Sequence, residues 1–183
     1  MQVAYLSGLS PNADLVETMI SSLPPRVDIL LTCDWPQGFA RELPSSPPST
    51  VNQEWGNELV ASCVSAAAPR YHFAASHGIF FSRAPYISPP SNRRATAVAT
   101  RLICLGAVGT DARWVYACGP TPSAHMSEQE LAHAPGATSS PFVKLDVAQM
   151  EAALPPMAQP QQSVENVLFK RNRCVKLAVR LCL

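Results

Sequence analysis

The run from Val27 to Pro36, VDILLTCDWP, constrains the fold of this chain more than any other stretch. Val27, Ile29, Leu30 and Leu31 form a buried-type strand, and it stops abruptly at the polar-aromatic Asp34-Trp35-Pro36. Strand ends of this kind are where α/β proteins place their chemistry. The residues following Leu31 are therefore the first place to look for a site.

A second passage repeats the pattern. Pro69 to Tyr86, PRYHFAASHGIFFSRAPY, opens on a short strand at Tyr71 to Ala74 that runs into a loop. Around these two, Val3 to Leu6 reads as a strand ending at Ser7-Gly8, and Ser10-Pro11 gives a cap and first turn for a helix. That helix carries Leu15, Val16, Met19 and Ile20 on one face. Residues 37 to 53 form a loop, and Glu54 to Ala66 forms an amphipathic helix through Leu59, Val60, Cys63 and Val64. Further strands are predicted near 79–81, 98–106 and 113–118, and Ser127 with Glu130 makes a capping box. Strands alternating with helices, then a run of strands, predict one side of an α/β sandwich.

Composition excludes several classes. A chain of 183 residues with 47% hydrophobic and 15% charged residues can bury a core, so global disorder is excluded. A net charge of +1 gives no chain-level electrostatic footprint for nucleic acid. No apolar run approaches the ~20 residues of a membrane span, and no basic start with an apolar stretch marks a signal peptide. Six cysteines (Cys33, Cys63, Cys104, Cys118, Cys174, Cys182) lack metal-ligand pairing and read as thiols in a reducing compartment. The prolines cluster in polar loops at Pro44 to Pro48 and Pro155 to Gln162.

VDILLTCDWP resembles the strand-to-loop junction of the calcineurin-like metallophosphoesterases, and within them the RNA lariat debranching enzymes. There the run reads Ser-His-Asp-Trp-Pro and the histidine binds metal; Cys33 stands at that position here. Aligned on Pro69, Tyr71 and Phe73, the enzymes' His-x-His ligands fall on Ser76 and Gly78, with His77 as the spacer. A slip of one residue would make His77 a ligand, still without a partner histidine. Catalytic sites need several imidazoles or carboxylates converging on the ion. A thiol, a hydroxyl and a glycine cannot replace them for a hard metal.

The closer resemblance is to the CwfJ family, the Cwf-nineteen-like splicing factors. It rests on VDILLTCDWP, PRYHFAAS, Ala84-Pro85-Tyr86, RLICLGAVG from Arg101 to Gly109, and TPSAHMSEQEL from Thr121 to Leu131, in the family's order. It implies a partial calcineurin-like metallophosphoesterase sandwich over residues 1–143, a mixed sheet with flanking helices, shortened on the amino-terminal side. Residues 144–183 would be a Pro/Gln-containing linker and a basic-apolar tail. The earlier ligands of the enzymes (Asp-x-His, Gly-Asp, Gly-Asn-His) do not occur, so a shortened domain would leave strands meant to be central as exposed edges.

The family resemblance implies no enzyme and no cofactor. It implies instead a nuclear accessory to the RNA lariat debranching enzyme and spliceosomal proteins, with RNA contact open and no membrane role. The alternative is an active metal-dependent phosphodiesterase. Trp35, Arg70, Arg83 and Tyr86 are the candidate contacts for a partner or RNA. Each also has a packing or solvated reading: Trp35 and Pro36 could plug the loop against the core, or Trp35 could stack on a base. Asp34 reads as a loop cap and His72 as a core or rim histidine. Arg70, Arg83, Arg93, Arg94 and Arg101 could line a phosphate-binding face or sit scattered in solvent. In the tail, Lys170, Arg171, Arg173, Lys176 and Arg180 could contact RNA, whereas Val175, Leu177, Val179 and Leu181 alternate as an edge strand would.

Overall fold

Strand β1 (Val3–Leu6) leads through helix α1 (Ala13–Ser22) to β2 (Ile29–Thr32), and β2 leads through α2 (Glu58–Ala67) to β3 (Tyr71–Ala74). All of this is seen in a computed structural model that describes residues 1–8, 12–142 and 178–181. Further along come β4 (Phe81–Ser82), β5 (Tyr86–Ser88), β6 (Val98–Cys104), β7 (Val115–Cys118), the short helix α3 (Glu128–Leu131), β8 (Thr138–Ser139) and β9 (Ala178–Leu181). The main sheet runs β1-β2-β3-β6-β5-β8, with β4 pairing the end of β6. β1, β2, β3 and β6 are parallel, whereas β4 and β5 run antiparallel to β6. The fold is α/β with a mixed sheet.

Local chemistry explains where the elements begin. The side chain of Asn12 accepts from the Leu15 amide at 2.8 Å and caps α1, while the expected Ser10-Pro11 start lies outside the described residues. α2 begins at Glu58 rather than 54, because Asn57 accepts from the amides of Leu59 and Val60 at 2.8 and 3.3 Å. The preceding Gly56 holds φ at +117°, and a Cβ there would lie 2.6 Å from the Gln37 amide nitrogen. Glycine is needed at this point because two backbones touch. The capping box of Ser127 and Glu130 forms as expected and opens α3.

Strand alternation then divides the core. On one face Leu6, Leu30, Ala74, Leu102 and Cys104 meet Val16 of α1 and Val60, Cys63 and Val64 of α2. Both helices cover this face because each joins parallel neighbours. On the other face Ile29, Phe73, Ile103 and Leu105 pack with Phe80 and with Tyr116 and Cys118 of β7. At the β1 edge Val3 and Tyr5 remain 50% and 69% exposed. The tail contributes β9, which pairs in parallel with β7, Val115 facing Ala178; its Pro/Gln-containing approach lies outside the described residues.

Arg83 ties the loop after β2 to the far side of the sheet. Its side chain is 3% exposed. Nε donates to the Phe39 carbonyl at 2.8 Å, Nη2 to the Arg41 carbonyl at 2.7 Å, and Nη1 to the Ala84 carbonyl and Thr138 Oγ1 at 2.7 and 3.1 Å. The guanidinium lies 5.0 Å from the centre of the Tyr86 ring. A buried cation satisfied by neutral carbonyls costs most when it is removed, since each acceptor then loses its donor. Arg83→Leu is expected to lower unfolding free energy by about 3–4 kcal/mol, read from urea denaturation. A loss under about 1 kcal/mol would mean that the carbonyls find other donors.

Candidate functional site

The carboxyl ends of β2 and β3 carry the positions marked out by the sequence. Thr32, the last residue of β2, is buried, and its hydroxyl donates to the Asp34 carbonyl at 2.7 Å, turning the chain sharply after the strand. Asp34 acts as a loop cap: its carboxylate accepts from the Trp35 amide at 3.2 Å and from the Ser76 hydroxyl at 3.3 Å. The two loops are thereby joined side chain to side chain. Ser76 and Gly78 hold φ at +79° and +73°, so the loop after β3 doubles back, and the Gly78 carbonyl accepts from the Ala107 amide beyond β6.

Aromatic rings fill the space between these loops. Trp35 is fully buried and meets Phe39, Trp55, His77 and Phe81 at ring-centroid distances of 4.9, 5.8, 5.1 and 5.9 Å. His77 lies flat on Trp55, 4.2 Å apart with 7° between planes. The loop is also pinned to the start of α2: the Asn57 amide donates to the Trp35 carbonyl at 2.8 Å, and the Gln37 amide to the Asn57 carbonyl at 3.1 Å. Burial lowers the pKa of His77, while neighbouring Asp34 pulls the other way. Beside the cluster, an open apolar cleft of about 90 Å³ is lined by Tyr5, Leu6, Ser7, Leu31, Thr32, Cys33 and Ala75.

The donor set does not fit a catalytic metal. Gly78 offers no side-chain donor, the Ser76 hydroxyl is engaged with Asp34, and the His77 ring is stacked on Trp55 and meets Trp35 edge to face. Among the described residues no three His, Cys, Asp or Glu side chains come together as ligands would.

The four contact candidates are all interior. Trp35 and Tyr86 have no exposed surface, and Arg83 and Arg70 are 3% and 8% exposed. Trp35 thus takes the core-plug reading, Arg83 clamps a loop, and Tyr86 packs on Phe142 at 5.6 Å. Burial leaves Trp35, Arg83 and Tyr86 almost no surface to offer a partner in this fold. Arg70 lies at the amino end of β3, away from the other three, where it borders a cleft. Phe39 carried no sequence signal because it falls in an aperiodic loop, and Trp55 was hidden inside the helix expected from Glu54, whereas both belong to the ring cluster.

His72 is a core histidine. Because Thr32 spends its proton on the Asp34 carbonyl, it can only accept from His72, 2.8 Å away. His72 therefore carries its proton on Nε2, leaving Nδ1 buried without a partner. Burial lowers its pKa to about 3.

No protein-family model matches the chain. It is similar to a protein of rice described as zinc finger CCCH domain-containing protein 59, 33% identical over 157 residues, which is 78% of this chain and 25% of that protein. The nematode Caenorhabditis elegans has a CWF19-like protein 1 homolog 33% identical over 161 residues, 79% of this chain and 30% of that protein. CWF19-like protein 1 of Pongo abelii is 30% identical over 162 residues, again 79% of this chain and 30% of that one. The chain thus spans between a quarter and a third of the length of these curated relatives.

Burial of His72 makes stability depend on pH with a defined sign. An unfolded histidine titrates near 6.5, the folded one near 3, so between these values the unfolded chain holds more protons. The stabilisation is complete above pH 6.5 and is lost as pH falls towards 3. With 1.36 kcal/mol per pKa unit, about 3 kcal/mol should disappear between pH 7 and pH 4, and His77 adds in the same direction. His72→Leu, which strands no donor, should flatten that slope in urea melts at a series of pH values. An unchanged slope would assign the titration to another group.

Proposed function

We propose that this chain is a non-catalytic, metallophosphoesterase-like module of a CWF19-like splicing factor, working in the nucleus as an accessory to the RNA lariat debranching enzyme during intron-lariat turnover. The observation that carries the reading is the ring cluster at the strand ends. Where a phosphoesterase of this class would gather imidazoles, His77 stacks on Trp55, Ser76 bonds Asp34, and Gly78 has no side chain. Such a site offers neither a Lewis acid nor a metal-bound hydroxide to a phosphodiester. The chain belongs to the CWF19-like family by its similarity over most of its length, and the α/β mixed sheet is compatible with a calcineurin-like sandwich.

A scaffold freed of ligand geometry can still bind, since its loops stay fixed by packing. Its partners on this reading are the debranching enzyme and spliceosomal proteins, with RNA within reach of the complex and no membrane involved.

The test is a debranching assay with a synthetic branched RNA. The chain alone, supplied with manganese, iron or zinc, should linearise nothing. Added to the purified debranching enzyme, it should raise the rate of linearisation saturably. Metal-dependent cleavage by the chain alone would overturn the non-catalytic reading, and an unchanged rate at saturating chain would overturn the accessory role.

A further inference from the structure

Strand β1 is the outer strand of the main sheet, and among the described residues no strand pairs its free edge. The Gln2 carbonyl accepts from the amides of Asp28 and Ile29 at 2.9 and 3.1 Å and so faces β2. Backbone groups alternate sides along a strand, so those of Ala4 and Leu6 face β2 as well. The amides and carbonyls of Val3 and Tyr5 therefore point outward, away from the sheet. Their side chains are open too, 50% and 69% exposed on the face that β2 continues with Ile29 and Leu31.

Free edges are usually guarded by a lysine, a proline or a covering loop. Residues 1–7, MQVAYLS, hold no lysine, no proline and no charged side chain of either sign. The strand is also its own complement. Laid antiparallel on a second copy with Ala4 opposite Ala4, Val3 falls opposite Tyr5, and Tyr5 opposite Val3. These are the outward-facing positions, so each pair exchanges both of its N–H···O=C bonds. Each pair also sets an aromatic ring beside a β-branched neighbour, a favourable cross-strand combination. Ala4 meets Ala4 at the closer, non-hydrogen-bonded position. The two amino termini, each opposite a Ser7, stay at the far ends of the ribbon and do not repel.

We infer that the free edge of β1 is a self-association surface, and that its occupant is β1 of a second copy of this chain, related by a two-fold axis at Ala4. A contact of this kind closes on itself, so it gives a dimer and no filament. Any strand could share the outward hydrogen bonds, but a second copy brings the matching ring, the matching valine and the same absence of charge. The strand is four residues long, and such a contact is smaller than the ~1,200 Å² of lasting interfaces, so the dimer forms and falls apart with concentration. The inference does not depend on the function proposed above.

The experiment follows the 183-residue chain from about 10 to about 500 µM, the range in which so small a contact is expected to respond. Sedimentation should show a monomer passing into a dimer, with nothing larger. Hydrogen exchange at the Val3 and Tyr5 amides should slow about threefold over that range by mass action. In a mixture of carbon-13-labelled and unlabelled chains, a filtered NOE should join Ala4 Hα of one copy to Ala4 Hα of the other, the close approach that only this register gives. Tyr5→Lys places a charge at an exposed position and should leave the melting temperature intact while keeping the chain monomeric at about 500 µM. Val3→Pro removes an outward donor without touching the bonds to β2 and should do the same. A monomer throughout the range, a dimer that survives in both variants, or a dimer without the Ala4 NOE would overturn the inference. Growth into larger species would overturn the closed two-fold contact.

Discussion

The structure depends on one buried indole. Trp35 stands three residues beyond the end of β2 and touches Phe39 in its own loop, Trp55 ahead of α2, and His77 and Phe81 beyond β3. Apart from Phe81 in β4 these rings sit on irregular loops, and the ring contacts act with the hydrogen bonds of Asn57 and Arg83 to set where those loops lie. An aromatic side chain suits the task because it buries a large area in few rotamers. The indole N–H has no hydrogen-bond partner, a cost that the surrounding packing offsets. Gly56, with Gln37 pressed against its Cα, shows how closely the loops are drawn together around this centre.

Charged and titratable groups in the interior follow a second rule: they are kept electrically simple, without carboxylate partners. Arg83 finds carbonyls rather than a carboxylate, so the loop after β2 is fixed by direction and distance rather than by charge pairing. His72 stays neutral and donates to a threonine whose own proton is committed elsewhere. Burial raises the pKa of Cys63 to about 12 and that of Cys104 well above its ordinary range, so these thiols behave as small apolar groups. None of these groups is poised for proton transfer near neutral pH.

The parts of the fold legible in the sequence were those with strong local signals. The apolar run of β2, the Tyr71 to Ala74 strand and the capping box at Ser127 gave the right elements at nearly the right limits. The start of α2 was misplaced because Glu54 and Trp55 extend the amphipathic pattern, whereas the cap at Asn57 and the positive φ of Gly56 decide it. The strand expected at 98–106 ends at Cys104, and that expected at 79–81 sits at Phe81–Ser82. β5 and β8 are too short to announce themselves and exist through pairing. The burial of the candidate contacts was not legible for a related reason: an arginine or tryptophan has the same local signature on a surface as in an interior. Only the long-range carbonyl partners of Arg83, more than 40 residues away in sequence, place it inside.

At the strand ends ring packing holds the loops together, and on the proposed reading it stands where bound ions stand in metal-dependent phosphoesterases. A ligand that binds the native state raises its stability by mass action, so metal binding would be visible in the melting temperature. The most direct measurement is the unfolding midpoint in EDTA and in millimolar manganese, with iron and zinc as parallel arms. The account predicts the same midpoint in all of them. A midpoint that rises with metal concentration, and does so less in a His77→Ala variant, would contradict it.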